Sequence, residues 1–488
     1  MNIQNMTALE LSRAIKNGEL SCEQAVKFAL DRVYSVDKKL NAFITVDAEN
    51  ALNKAREIQN LLDEGNDISP IAGVPIAVKD NICTKGIRTT CASKMLSDFY
   101  PIYNATVIER LEKAGAIIIG KTNMDEFAMG STGETSYFGP CLNPHNLNRV
   151  SGGSSSGSAV SVASGESFAA LGSDTGGSVR QPAAFCGVTG FKPTYGTVSR
   201  FGLIAYASSL DQIGPICKDV ADCAAILDII KGKDERDGTS LEGLPASFLD
   251  SLTGRIEGKR IAVPNDSLLT PINEDIKTNL KKVADTLSSL GAVVEYIDTD
   301  IFNSVVSDYY IIASAEASSN LSRYDGVKYG FRSDNAENLN ELYKKSRTEG
   351  FGEEVKKRIL LGTFVLSSGY YDAYYNKALK VKNVIKASFD ELFKKYDAVL
   401  CPTAPDTAPL LNDSLKDPLK MYLSDVFTVS ANLAGLPALS VPNGFTKDKM
   451  PTAAQIIGQR LDDAAVLNIG YAYQKATSFH KTVAEVDK

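Results

Sequence analysis

Residues 151 to 158 read SGGSSSGS, a run in which no side chain is larger than a hydroxymethyl group. Such a run is either a flexible linker or a place where the backbone passes through a crowded interior. A linker stays polar on both sides. Here apolar AVSVA follows at once, FAALG comes next, and a second Gly/Ser cluster occupies residues 172 to 178. The glycines are therefore read as tight turns inside a folded core, with the chain on either side belonging to one unit.

The flanks have the alternation of an α/β protein. Thr7 with Glu10, and Ser21 with Gln24, have capping-box spacing and predict two N-terminal helices, the first with Leu9, Leu11, Ala14 and Ile15 as its apolar stripe. GVPIAVKD predicts a short buried strand ending at Lys79-Asp80. The helical pattern from Thr106 to Ala114 stops at Gly115 before an apolar AIII strand, and Asn273 to Leu290 repeats this order before AVVEYI. RIAVP and AVLCP read as further strands on either side of a helical block, which favours one mixed sheet with insertions over domains in series. The boundaries expected are an N-terminal helical segment at 1–65, a main unit at 66–478 with a helical insertion at about 301–395, and a charged tail at 479–488 that frays.

Composition narrows the function. Lys plus Arg total 52 against 59 for Asp plus Glu, and the net charge of −7 argues against a broad grip on nucleic acid. Two histidines, His145 and His480, leave a histidine-based metal site almost without ligands, so no metal is expected. The 8 cysteines form no CxxC pair, which suits reduced thiols in the cytoplasm. No apolar core of a secretory signal opens the sequence, and no stretch is long enough to span a membrane.

Gly153-Ser154-Ser155-Ser156-Gly157 matches G-x-S-x-G with Ser155 at the nucleophile position. The match is poor, because PHNLNRV before it does not read as a strand and the base would have to be His480 in the tail. A phosphate loop fails because no G-K-S/T ending follows the glycines, although a generic anion nest of amides stays open. A hydrolytic nucleophile without histidine needs another base with a tunable pKa. Lysine qualifies when burial favours its neutral amine, and Lys79 at the end of an apolar strand is the candidate; a strand-end lysine reaching water is the alternative.

Three segments together resemble the amidase signature family: PIAVKD at 75–80, GGSSSGSAVSVASGE at 152–166 and LGSDTGGSVRQPAAFCGVTGFKPTYGTVSRFG at 171–202, with LAGLPALSVP and IIGQR extending the likeness towards the C-terminus. The resemblance implies a single large α/β/α unit around a mixed sheet and a Ser-cis-Ser-Lys centre, with Ser178 as nucleophile, Ser154 as bridging serine after a cis peptide, and Lys79 as base. The glycines of the TGGS turn let the amides of Thr175, Gly176, Gly177 and Ser178 face inward as an oxyanion hole. Asp174 and Arg180 bracket the nucleophile and read as a buried ion pair supporting that turn, and Gln181-Pro182 as the point where the chain ends or redirects.

KTNMDEFAMGST at 121–132, RILLGTFVLSSGYYDAYY at 358–375 and YLSDVFTVSANLAGLP at 422–437 resemble, within that family, the glutamine-hydrolysing subunits of tRNA-dependent amidotransferases. This implies that Arg358 pairs with the α-carboxylate of glutamine, Asp425 holds its α-ammonium, and Tyr309 adds a contact. It also implies a heterotrimer, in which a tRNA-binding partner uses ATP and Mg²⁺ to amidate mischarged tRNA and a small third subunit wraps the contact, with no cofactor in this chain. A stand-alone amidase acting on small amides is the alternative, and a scaffold with a dead centre is disfavoured by the presence of all three catalytic residue types. Ser156 departs from the glycine usual at that position in the related subunits, which would matter if the backbone there needed positive φ.

Overall fold

The computed structural model describes residues 3–66, 68–265, 272–416 and 418–486. Both capping boxes form. The Thr7 hydroxyl accepts from the Glu10 amide at 3.2 Å and the Thr7 amide donates to the Glu10 carboxylate at 3.0 Å; Ser21 and Gln24 make the equivalent pair at 3.1 and 2.8 Å. Each box satisfies two amides that a helix start leaves without partners, and the helices Ala8–Lys16 and Cys22–Leu40 follow. The N-terminal segment is not wholly helical, because strand β1 (Phe43–Val46) separates the second helix from a third, Ala48–Asp63, and joins the central sheet.

The other strands are β2 (Pro75–Lys79), β3 (Ile117–Thr122), β4 (Leu142–Asn143), β5 (Asn146–Val150), β6 (Ala169–Asp174), β7 (Thr189–Lys192), β8 (Gln212–Cys217), β9 (Arg260–Pro264), β10 (Val293–Ile297), β11 (Ala398–Pro402), β12 (Ala438–Phe445) and β13 (Pro451–Gly458). Apart from the β4-β5 hairpin they form one sheet of 11 strands in the order β1-β3-β2-β6-β8-β7-β12-β13-β11-β9-β10. It is mixed: β2 runs parallel to β3 and β6, β9 runs parallel to β10 and β11, and the remaining neighbours are antiparallel.

Alternation along the strands builds the layers. Ile261, Val263, Ala398, Leu400 and Ile456 pack in one core with the N-terminal helices and the Asp463–Ala476 helix, whereas Ala262, Val399, Cys401 and Ile457 pack in another with the inserted helices Val305–Asn320, Glu353–Val365 and Lys377–Leu392. Successive strand residues face opposite sides of a sheet, so the two cores lie on its two faces and the unit is an α/β/α sandwich. No helix among the described residues is long and apolar enough to cross a membrane.

Several local expectations are corrected. PHNLNRV does contain a strand, β5, but it pairs with β4, with one bridge from Arg149 to Leu410, and lies outside the main sheet. The tail does not fray through residue 486: Ala484 and Val486 are buried in the core, and the Ala484 amide donates to the Ala163 carbonyl at 3.1 Å. Pro182 ends nothing; it sits in the first turn of the Arg180–Cys186 helix, where a missing amide costs no hydrogen bond. Ser156 begins the Ser156–Ala163 helix and is not among the residues with positive φ, so the serine is unstrained.

Candidate active site

Because β2 and β6 are parallel neighbours, their C-terminal ends open on the same edge of the sheet, the usual place for a site in an α/β sheet. Lys79 closes β2 and Ser173-Asp174 closes β6. Lys79 is fully buried, and its Nζ lies 2.8 Å from Ser154 Oγ, 2.9 Å from Ser173 Oγ and 3.1 Å from the Ser173 carbonyl. Burial lowers its pKa to about 7, and the charges of Asp125, Asp174 and Asp211 only partly oppose this. The contacts suit a neutral amine, which can donate to the two Ser173 oxygens while its lone pair accepts the Ser154 proton. The Ser173 hydroxyl also accepts from Asn81 Nδ2 at 2.9 Å. Neither Ser173 nor Asn81 stood out in the sequence, although each lies one or two residues from a residue that did.

The Gly153–Ser154 peptide bond is cis. The Gly153 amide donates to Gln181 Oε1 at 2.9 Å, and Gln181 Nε2 donates to the Ser131 carbonyl at 2.8 Å. Gln181 therefore anchors the serine loop. Ser155 is fully buried, with its hydroxyl 3.1 Å from the Ser173 carbonyl and its amide donating to the Ser178 carbonyl at 3.1 Å. It is a tie between the loops rather than an open nucleophile.

Ser178 is 7 % exposed, and its hydroxyl has no hydrogen-bond partner among the described residues. The turn before it is shaped by two glycines. A Cβ at Gly177, where φ is +133°, would stand 2.4 Å from Thr428 Oγ1, and one at Gly176 would stand 2.5 Å from the Tyr309 ring. Of the four amides expected to face inward, that of Gly177 is already taken by Asp174 Oδ1 at 2.8 Å, which leaves Thr175, Gly176 and Ser178. Thr175 is held by its hydroxyl, which donates to Asp211 Oδ1 at 2.6 Å.

Asp174 and Arg180 form the buried pair expected, with two parallel contacts of 3.0 Å. Arg180 also donates to the Thr428 carbonyl, Gln455 and Asn432 at 3.0, 2.6 and 2.6 Å. Burial would raise the Asp174 pKa, but the adjacent guanidinium overrides this and holds it below the usual carboxylate range. Arg180→Ala leaves that carboxylate buried and unpaired, and is expected to cost about 3–5 kcal/mol, read as a lower midpoint of urea unfolding.

A second cluster brings together residues far apart in sequence. Arg358 is 4 % exposed; its Nε donates to Glu354 at 2.8 Å, its Nη1 to the Tyr206 hydroxyl at 2.7 Å, and its Nη2 is buried with no partner. The rings of Tyr206, Tyr310 and Tyr422 surround the guanidinium at 5.6, 5.1 and 6.0 Å. Asp425 accepts from Ser131 Oγ at 2.8 Å and from the Tyr310 hydroxyl at 3.0 Å, and burial raises its pKa to about 7. Tyr310 thus touches both charged groups, whereas Tyr309 packs against the Gly176 turn. Tyr206, Tyr310, Glu354 and Ser131 were not singled out from the sequence; Ser131 lies inside the 121–132 motif, Tyr310 is next to Tyr309, and Glu354 stands four residues before Arg358, the spacing of a helical ion pair, so only Tyr206 had no cue. A cavity of about 430 Å³ adjoins the Arg358 end, lined by Val305, Tyr310, Leu361 and Tyr422 among others, and neither Ser154 nor Ser178 lines it. Among the described residues no group of three or more His, Cys, Asp or Glu gathers as a metal site.

The family model described as Amidase matches residues 24–467. The A subunit of glutamyl-tRNA(Gln) amidotransferase from Lachnospira eligens is 54% identical over 476 residues, covering 98% of this chain and 99% of the relative, and its counterpart from Geobacillus thermodenitrificans is 50% identical over 481 residues. Among solved structures, the A subunit of the same enzyme from Thermotoga maritima superposes with a TM-score of 0.80 at 42% identity, covering 98% of this chain and 96% of that one. The peptide amidase of Stenotrophomonas maltophilia gives 0.81 at 28% identity. With its fold, its serine-lysine centre and a family match over most of its length, the chain belongs to the amidase family.

Proposed function

We infer that this chain is the glutamine-hydrolysing subunit of a glutamyl-tRNA(Gln) amidotransferase. The observation that carries the reading is the buried Arg358–Tyr310–Asp425 cluster beside the nucleophile turn: an open guanidinium N–H and a carboxylate, both in contact with one tyrosine, are complementary to the carboxylate and ammonium of an α-amino acid. Relatives with about half of their residues in common carry the name of that enzyme.

The chemistry follows from the residues. Ser178 Oγ attacks the side-chain amide carbon of glutamine, its proton passes to Ser154 Oγ, and the Ser154 proton passes to Lys79 Nζ. The amides of Thr175, Gly176 and Ser178 are the ones left to hold the oxyanion. Collapse breaks the C–N bond, ammonia leaves with the proton returned through Ser154, and a glutamyl ester stays on Ser178. Water then repeats the path and releases glutamate. The ammonia is consumed by a partner subunit that activates the tRNA-borne glutamate or aspartate with ATP and Mg²⁺, with a small third subunit completing the assembly.

The division of labour has a direct test. In the assembled complex, Arg358→Ala is expected to lower amidation of glutamyl-tRNA from glutamine by at least about 100-fold, through loss of a buried charge-assisted contact, while amidation from ammonium chloride is unchanged. Paired product formation from the two nitrogen sources reads this out. Loss of the ammonium-driven reaction in an assembled complex would place Arg358 in the amidation step. Full glutamine-independent turnover of simple amides by the isolated chain would favour a stand-alone amidase.

A further inference from the structure

The KTNMDEFAMGST segment supplies no group to the chemistry above, yet it reaches both ends of the substrate cluster. At one end Ser131 holds Asp425. At the other, Glu126 is 3 % exposed, with one oxygen accepting the Ser93 hydroxyl and the other accepting the Gly352 amide at 2.8 Å. Gly352 is the cap residue at the start of the Glu353–Val365 helix and has no side chain to cap it. Glu126 fixes that start from a different part of the chain, and a carboxylate there also meets the positive end of the helix dipole. The fit is close: a Cβ at position 352 would stand 2.3 Å from Glu126 Oε2.

Neighbouring contacts hold the same corner. Ser93 Oγ reaches the Gly350 carbonyl at 3.3 Å, and the Phe127 ring lies 5.6 Å from that of Phe351 and 5.1 Å from that of Tyr324. Phe127 and Ala128 take φ values of 49° and 61°, a region that side-chain-bearing residues adopt when their surroundings impose it. The helix that starts here carries Glu354 and Arg358 in its first two turns. A helix is stiff over that length, so a shift at its start moves the guanidinium with it.

We propose that Glu126 is a positioning residue for Arg358: by anchoring Gly352 it sets where the free guanidinium N–H stands relative to Asp425, and so the reach of the pocket for an α-amino acid amide. This rests on the reading of Arg358 and Asp425 as the carboxylate and ammonium sites of glutamine.

The test is steady-state kinetics of the assembled complex with glutamine and with 4-aminobutanamide, which is glutamine without its α-carboxylate. Glu126→Ala is expected to raise KM for glutamine about tenfold with kcat within about twofold, and to leave kcat/KM for 4-aminobutanamide within about twofold. Glu126→Gln should behave as the wild type, because its carboxamide can accept from Gly352 and donate to Ser93. Gly352→Ala, which displaces the carboxylate, should reproduce Glu126→Ala and carries the test if the latter does not fold. Equal losses on both amides, or an unchanged KM for glutamine in both variants, would overturn the proposal. Failure of the underlying reading shows separately, as an unchanged KM for glutamine in Arg358→Ala.

Discussion

Ser178→Ala abolishes glutamine hydrolysis, by at least about 10⁴-fold, while the complex assembles and still amidates glutamyl-tRNA from ammonium: this is the expected result of removing a hydroxyl that makes bonds only in the reaction. The hydroxyl has no partner among the described residues, so its loss leaves no buried group unsatisfied and stability should change by less than about 1 kcal/mol. Mass spectrometry of wild-type complex quenched during turnover should find the glutamyl ester on Ser178. An adduct on Ser155 or Cys401 would defeat the assignment, and the burial of both argues against it.

Lys79→Ala should lower glutamine hydrolysis by roughly 10² to 10⁴, the range of a lost general base, and Lys79→Arg should not restore it. Arginine stays protonated and cannot accept the Ser154 proton. The pH profile is the sharper measurement. Burial lowers the Lys79 pKa to about 7, and only the neutral amine is a base, so activity is present above about 7 and falls as pH drops through it. Burial raises the Asp425 pKa to about 7 as well, and only its carboxylate attracts an ammonium, so the second group acts in the same direction. With glutamine, log kcat/KM should therefore fall with a limiting slope of about two below pH 7, and Asp425→Asn should reduce that slope to about one. A flat profile between pH 6 and 8 would show that Lys79 serves as a fixed charge. Near-wild-type hydrolysis by Lys79→Arg would say the same.

What could be read along the chain was what depends on near neighbours. The capping boxes at Thr7 and Ser21 and the stop at Gly115 involve partners within a few residues, and the strand ending at Lys79 shows as a local run of apolar residues; all appear where the sequence puts them. The serines at 154 and 178 were legible through the motifs around them, and the tight turns at Gly176 and Gly177 through their composition. Tertiary structure decided the rest. Lys79 and Ser154 are 75 residues apart, and Glu126 and Gly352 are 226 apart, so their contacts follow from the order of strands in the sheet and have no local signal. The same holds for Tyr206, which meets Arg358 from 152 residues away, and for Tyr310, which takes the contact with Asp425 while Tyr309 packs on the Gly176 turn; the Glu354–Arg358 pair is by contrast a local contact between residues four apart on one helix, and Nη2 stays open. It holds for the tail, whose Ala484 and Val486 pack into the core although the sequence around them is charged. A protonation state is the extreme case: a lysine is a base at neutral pH only when the protein removes water from around it, and that burial is a property of the whole fold.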